Sequence, residues 1–112
     1  MKTDKYKKGD IMVVVPHGWP REGNPSQLLR DELVGLIDKG ETTILLDLSA
    51  FDYMTSGGLG ALLFAARRIT DVKGRFALCC LNDNLMRVFD ISSFAKIIDI
   101  TPNVDEALAN MT

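Results

Sequence analysis

The sequence contains few of the residues that catalytic and metal-binding sites use. Its 112 residues include one histidine, His17, and two cysteines, Cys79 and Cys80. A lone histidine supplies neither a metal-ligand set nor a nucleophile–base pair. Paired carboxylates at a pocket-like spacing are also missing. We therefore expect no enzyme activity, no metal site and no cofactor.

The two cysteines are neighbours in a segment whose pattern predicts a strand. Neighbouring side chains of a strand point to opposite faces, so a disulfide between Cys79 and Cys80 is geometrically poor. Without a CxxC spacing or a histidine cluster, the pair is also a weak metal site. The pattern predicts one buried thiol beside a half-exposed one, in a reducing compartment.

Strong net charge and long apolar runs are lacking too. The 13 basic and 15 acidic residues leave a formal net charge of −2, without the basic excess of a dedicated nucleic-acid binder. The longest nearly apolar run, residues 57–66, is shorter than the roughly 20 residues that cross a bilayer. The charged N-terminal residues have no signal-peptide character. We expect a cytoplasmic protein with no membrane insertion and no nucleic-acid partner.

The apolar pattern predicts strands and helices in alternation, which is typical of an α/β fold. A hydrophobic fraction of 46% fits one domain over residues 1–112. Crossover helices imply a mostly parallel sheet, with an antiparallel hairpin at its N-terminal edge. The expected strands cover residues 3–7, 11–15, 42–48, 75–81 and 96–100.

Four helices are expected between and after these strands. The first has Asn24 as its cap, Pro25 as its first residue and Gly40 as a left-handed terminator. The second carries an apolar stripe from Leu59 onward and ends before Gly74. A short third helix includes residues 85–89, and a terminal helix starts at residues 101–102.

Residues 47–60 (DLSAFDYMTSGGLG) connect the central strand to the second helix and hold the most informative pattern. A hydroxyl pair, Thr55 and Ser56, stands just before that helix, whose first amides lack internal partners and whose dipole favours anions. Gly57 and Gly58 leave space for an approaching group. Either hydroxyl could simply cap the helix. Alternatively, one of them could accept a phosphoryl group. A nucleotide-binding loop is disfavoured because the GxxxxGK[ST] and GxGxxG patterns are missing.

This run resembles the signature of the STAS domain family, which typically reads D-L-S-x-V-x-Y-M-D-S-S-G-L-G. Matched position by position, the phosphorylated serine of that signature falls on Ser56, with Thr55 as the alternative acceptor. Gly74 before an apolar strand and residues 104–108 (VDEAL) resemble further elements of the family. The resemblance implies a fold like that of the anti-sigma factor antagonists, with a central mixed, mostly parallel sheet of about five strands and about four helices.

The sequence departs from the family pattern at three positions. Thr55 replaces an acid that is thought to support the acceptor serine, and Gly57 replaces a second serine. Arg21 stands where an acid helps to meet the partner kinase. The resemblance also places Trp19 beside the phosphorylation loop, where it could anchor a partner or pack over the edge of the sheet. Asp52 flanks that loop. The expected partner-binding residues are Trp19, Arg21, Asp52, Thr55, Ser56, Gly57 and Gly58.

The resemblance implies a regulatory binding protein, a monomer or weak dimer. Unphosphorylated at Ser56, it would bind an anti-sigma factor that is also a serine kinase of the GHKL type, and a serine phosphatase would reset it. The alternative is a STAS subunit that does not switch and belongs to a lipid-transport ATPase or a stress-signalling scaffold.

Overall fold

The computed structural model describes residues 2–17, 25–51, 55–91 and 98–111. Within these ranges the chain forms five strands and four helices in the order ββαβαβαβα. The strands are β1 (Lys2–Lys8), β2 (Ile11–His17), β3 (Thr43–Asp47), β4 (Arg75–Cys79) and β5 (Asp99–Thr101). The helices are α1 (Pro25–Asp38), α2 (Ser56–Asp71), α3 (Asp83–Ile91) and α4 (Val104–Met111).

The strands form one mixed sheet in the order β1-β2-β3-β4-β5. Strands β1 and β2 are antiparallel, whereas β2, β3, β4 and β5 pair in parallel. The predicted architecture is therefore confirmed. Because parallel strands end at the same edge of a sheet, the residues after β3, β4 and β5 lie close together.

The two faces of the sheet have different covers. Alternate strand residues such as Ile44, Leu46 and Leu78 pack under α1, α2 and α3. The intervening residues, such as Leu45 and Ala77, pack under α4. Strands covered on both faces read as continuous apolar runs, which explains the sequence TILL in β3.

The second strand runs further than the sequence suggests. Pro16 was expected to end it, yet β2 continues to His17. Within β2, only Met12, Val13 and Val14 pair with β3. Pro16 therefore lies beyond that pairing and has a neighbour only on the β1 side. A proline has no N–H group to donate to a neighbouring strand. It is tolerated there because a position with one neighbouring strand makes fewer ladder hydrogen bonds.

Helix α1 begins at Pro25 and its predicted left-handed end is confirmed. Gly40 has a φ of +96°, and the amide of Glu41 donates to the carbonyl of Leu36 at 3.0 Å. This is the six-to-one hydrogen bond of a Schellman ending. Asn24, the expected cap, lies outside the described residues.

In the C-terminal third of the chain, strands and helices begin and end at other residues than the sequence predicts. Strand β4 ends at Cys79, two residues early, and β5 reaches Thr101, which pairs with Cys79. Helix α4 therefore starts at Val104 rather than at residues 101–102. Its cap is Asn103, whose side-chain Oδ1 accepts from the Glu106 amide at 2.8 Å. A side-chain cap satisfies an otherwise unpaired amide and sets where the helix begins.

In the part of the chain that the structure describes, no helix is both long and apolar enough to cross a bilayer.

Gly74 and Gly35 provide a matched test of the packing between α2 and β3. A Cβ atom at Gly74 would lie 2.1 Å from the Thr42 carbonyl oxygen, whereas one at Gly35 would meet nothing within 4 Å. We expect Gly74→Ala to lower the free energy of unfolding by about 1–3 kcal/mol through overpacking. Gly35→Ala should raise it by about 0.5–1 kcal/mol, because alanine favours helix interiors. Urea unfolding of both variants measures the difference, and equal stabilities would contradict the packing described.

Candidate functional site

The candidate site lies at the carboxyl edge of the sheet, where the chain leaves β3 for α2. Leu48, the first residue after β3, is fully buried, and its amide donates to the Cys79 carbonyl at 3.1 Å. We call residues 48–55 the β3–α2 loop. The sheet thus continues its hydrogen bonding into this loop and holds its start in place.

Two hydrogen bonds and one buried side chain anchor the described part of the β3–α2 loop. The Asp47 carboxylate accepts from the Ser49 amide at 2.9 Å, which tightens the turn. Phe51 is buried, and its carbonyl accepts from the Asn82 side chain at 3.3 Å. Asn82 also caps α3, because its Oδ1 accepts from the Leu85 amide at 2.8 Å. The loop is therefore tied to β3 and to the start of α3.

Thr55 is the cap of α2. Its backbone is extended, with φ −78° and ψ 166°, and its Oγ1 accepts from the Gly58 amide at 3.1 Å. Its carbonyl accepts from the Leu59 amide at 3.1 Å, the first hydrogen bond of the helix. The sequence left open whether Thr55 or Ser56 performs this role, and the structure assigns it to Thr55.

Ser56 is the first residue within α2. The positive end of a helix dipole is concentrated at this turn, where it favours negative charge. The first turn of α2 contains no acidic residue. The first turn of α2 is therefore a favourable place for an anionic group.

Gly57, where the family signature has a second serine, faces the start of α1. A Cβ atom at Gly57 would lie 2.5 Å from Ser26 Oγ and 3.3 Å from Ser26 Cβ. A side chain at Gly57 would therefore require Ser26 to rotate and shift. The glycine allows the first turns of α1 and α2 to approach each other closely. Gly57 itself is exposed, whereas the next residue, Gly58, is buried.

An open groove of about 340 Å³ lies between α1 and α2 beside this position. On α2 the lining residues recur at spacings of three, four and seven residues, so they share one helix face. The Arg30 guanidinium lies 5.4 Å from the centre of the Phe64 ring, within cation–π range, and also donates to the Gln27 side chain. The α1–α2 groove is lined by Ser26, Gln27, Arg30, Gly57, Gly60, Ala61 and Phe64.

The structure brings together Thr55, Ser56, Gly57 and Gly58, four of the expected partner-binding residues, in one helix turn. Trp19, Arg21 and Asp52 lie outside the described residues. The groove residues Ser26, Arg30 and Phe64 were not predicted from the sequence. The small residues at helical spacing from Gly57 onward were a signal for a close helix contact, but only the fold identifies α1 as the neighbour.

The lone histidine belongs to the N-terminal hairpin. His17 Nε2 lies 2.7 Å from Asp4 Oδ2, and both side chains are exposed. This pair lies at one end of the β1–β2 ladder, where Lys2 pairs with His17. A polar contact between two exposed side chains contributes little to stability.

The cysteine pair is arranged differently from the prediction. Cys79 is buried and Cys80 half-buried, as expected, but their Sγ atoms lie 3.5 Å apart rather than on opposite faces. Cys80 has a φ of +65° and has already left the strand, so the alternation of faces is broken. Burial raises the pKa of both thiols, and the neighbouring Asp47 carboxylate raises each pKa further.

The cap at Thr55 can be tested by substitution. We expect Thr55→Ala to lower the free energy of unfolding by about 1 kcal/mol, because the Gly58 amide loses its acceptor. The free energy of unfolding of Thr55→Asp should stay within about 0.5 kcal/mol of the parent value. Aspartate caps a helix equally well, and its charge interacts favourably with the positive end of the helix dipole. Urea unfolding at neutral pH measures both values. An alanine variant as stable as the parent would show that the cap contributes nothing.

Comparison with known proteins agrees with this geometry. The STAS domain family matches residues 3–107. BtrV of Bordetella bronchiseptica, a proposed anti-sigma factor antagonist, is 33% identical over 109 residues, covering 97% of this chain and 93% of BtrV.

Two solved structures share the fold. A proposed anti-sigma factor antagonist from Thermotoga maritima superposes with a TM-score of 0.90 at 23% identity, covering 97% of this chain and 93% of the other. The Bacillus cell fate determinant SpoIIAA, in its phosphorylated form, superposes with a TM-score of 0.74 at 20% identity, covering 99% and 100%. The family match, the BtrV relationship and the observed five-stranded mixed sheet lead to one conclusion. The chain belongs to the STAS domain family, among relatives named as anti-sigma factor antagonists.

Proposed function

We propose that this protein is an anti-sigma factor antagonist whose binding is switched off by phosphorylation of Ser56. The unphosphorylated protein would sequester an anti-sigma factor that is also a serine kinase of the GHKL type, and so free a sigma factor. A serine phosphatase would reset the switch. ATP belongs to the kinase in this scheme, so this chain needs neither a catalytic group nor a cofactor.

The observation that carries the proposal is the division of roles between two adjacent hydroxyl residues. Thr55 Oγ1 already accepts the Gly58 amide hydrogen bond, so a phosphoryl ester at Thr55 would disturb the cap of α2. Ser56 follows the cap as the first helical residue. Modification there leaves the Thr55 cap in place, which favours Ser56 over Thr55 as the acceptor.

Electrostatics explains how the modification would act on the partner rather than on the fold. A phosphoryl group adds roughly −1.5 to −2 charges, which the start of a helix tolerates. At a protein interface the same dianion must lose its water, and this is costly unless the partner supplies cations. Phosphorylation would therefore leave the domain folded and weaken the complex.

The proposed binding surface combines the start of α2 with the α1–α2 groove. Phe64 is 41% exposed, which is high for a large apolar side chain, and Arg30 stacks against it. Aromatic and arginine side chains are the residues most enriched at the energetic centres of interfaces. By the family resemblance, the surface also includes Trp19, Arg21 and Asp52.

A second candidate is a constitutive STAS subunit of a lipid-transport ATPase or a stress-signalling scaffold. The departures at Thr55 and Gly57 favour it, since they alter the residues flanking the acceptor serine. Each departure also has a structural explanation: threonine caps α2, and glycine accommodates Ser26. These explanations make the switch our first choice.

Phosphorylation mapping tests the acceptor directly. A GHKL-type serine kinase from the same organism is incubated with the protein and ATP, and modified residues are located by mass spectrometry. We expect one phosphoryl group on Ser56, its loss in Ser56→Ala, and its retention in Thr55→Ala. Modification of Ser56→Ala at the parent level would contradict the assignment. Binding of a transporter ATPase without phosphorylation of either residue would support the constitutive subunit.

The binding surface is tested by measuring the affinity for that kinase. We expect Ser56→Asp and Phe64→Ala each to weaken binding by about tenfold or more, equivalent to ~1.4 kcal/mol. The first introduces charge at the interface and the second removes an apolar contact. Val72→Ala is the matched control, because Val72 is 51% exposed but lies at the far end of α2. Equal losses for Phe64→Ala and Val72→Ala would argue against the groove.

A further inference from the structure

A group of side chains of metal-ligating types lies on the opposite face of the sheet from the groove. Asp47 ends β3, Cys79 ends β4, and the two are paired in the parallel ladder. Cys80 follows directly. One carboxylate oxygen and the two Sγ atoms lie within 4.8 Å of one another. The two sulfur atoms are 3.5 Å apart.

The backbone at Cys80 brings the second thiol into this group. A regular strand would turn Cys80 toward α1 and α2, the side where Leu78 and Leu81 pack. Its φ of +65° instead places Cys80 on the α4 side, in the same cluster as Cys79. A left-handed conformation is unfavourable for a residue with a Cβ atom. Such conformations concentrate at functional positions.

The ligand types and their spacing fit a thiophilic divalent cation. Tetrahedral zinc binds thiolate sulfur at about 2.3 Å, which sets neighbouring sulfur ligands roughly 3.8 Å apart. The observed 3.5 Å is close to that separation. Two thiolates and one carboxylate form a three-ligand set of the open kind, in which water or another molecule completes the tetrahedron. Mg²⁺ and Ca²⁺ prefer oxygen ligands and are disfavoured here.

The surroundings provide access and support for the ligands. Cys79 is fully buried, whereas Cys80 and Asp47 are half-buried, so a cation can enter from their side. One oxygen of Asp47 is held by the Ser49 amide, which orients the carboxylate. Such outer contacts are typical of metal sites.

We propose that Asp47, Cys79 and Cys80 form a binding site for one thiophilic divalent cation, of which Zn²⁺ is the biological example. Each cysteine releases its proton to solvent as its metal–sulfur bond forms. The site is spatially separate from the α1–α2 groove and from Ser56, because the two lie on opposite faces of the sheet.

Calorimetric titration of the reduced protein with Zn²⁺ tests this site, with a phosphine reductant keeping both thiols free. We expect one equivalent to bind. Cys80→Ser should weaken Zn²⁺ binding by at least about tenfold. Removing a group that only contacts a metal ligand already costs about that much, and Cys80 would be a ligand itself. Asp47→Asn should weaken it by a similar factor. His17→Gln is the control: it removes the chain's one histidine, and we expect unchanged binding.

Cd²⁺ supplies a second readout that does not depend on affinity. Its binding to the parent protein should produce thiolate-to-metal charge-transfer absorption in the ultraviolet, and Cys80→Ser should reduce that band. Circular dichroism of each variant confirms that it is folded. The proposal is overturned if neither metal binds the reduced protein, or if Cys80→Ser binds both metals like the parent. Loss of binding in His17→Gln alone would also overturn it, by locating the metal at the His17–Asp4 pair.

Discussion

Strand β3 is the central constraint on this molecule. Leu45 and Leu46 are both fully buried, on opposite faces of the sheet, and β3 pairs in parallel with β2 on one side and β4 on the other. Burying a leucine side chain stabilises a fold by about 1.5–3 kcal/mol. A shift of the register by one residue would move each side chain of β3 to the other face of the sheet. The faces on which Asp47 and Leu48 lie therefore depend on this register.

Because side chains alternate between the two faces of β3, two different groups of residues lie on opposite faces at one edge of the sheet. Asp47 faces α4, beside the thiols of Cys79 and Cys80. Leu48 packs under α1, α2 and α3, and the chain continues into the β3–α2 loop and the cap at Thr55. Consecutive residues at the end of one strand thus lead to the proposed binding surface on one side and to the proposed metal site on the other. They remain connected, because Asp47 also holds the Ser49 amide of the loop.

The departures from the family signature become understandable at this level. An acid and a threonine are both good helix caps, so Thr55 retains the capping hydrogen bond to Gly58 while giving up a negative charge. Gly57 gives up a hydroxyl group and lets Ser26 approach the start of α2. Each substitution leaves the first turn of α2 intact. What changes is the charge and the surface that a partner would meet there.

The order of strands and helices, the left-handed ending at Gly40 and the signature at residues 47–60 can all be read from the sequence alone. Each of these depends on local chemistry or on a periodic pattern that a short stretch of chain carries. The folded structure was needed to show how far β2 runs past Pro16, which hydroxyl caps α2, and which α1 residues line the groove. It also placed Cys79 and Cys80 on the same face with Asp47, contrary to the expected alternation. These features arise from strand pairing, from helix contacts and from one residue with positive φ. The length of β2 and the lining of the groove depend on neighbours distant in the sequence. The Thr55 cap and the backbone of Cys80 are local, but the periodic pattern of the sequence does not distinguish them from their alternatives.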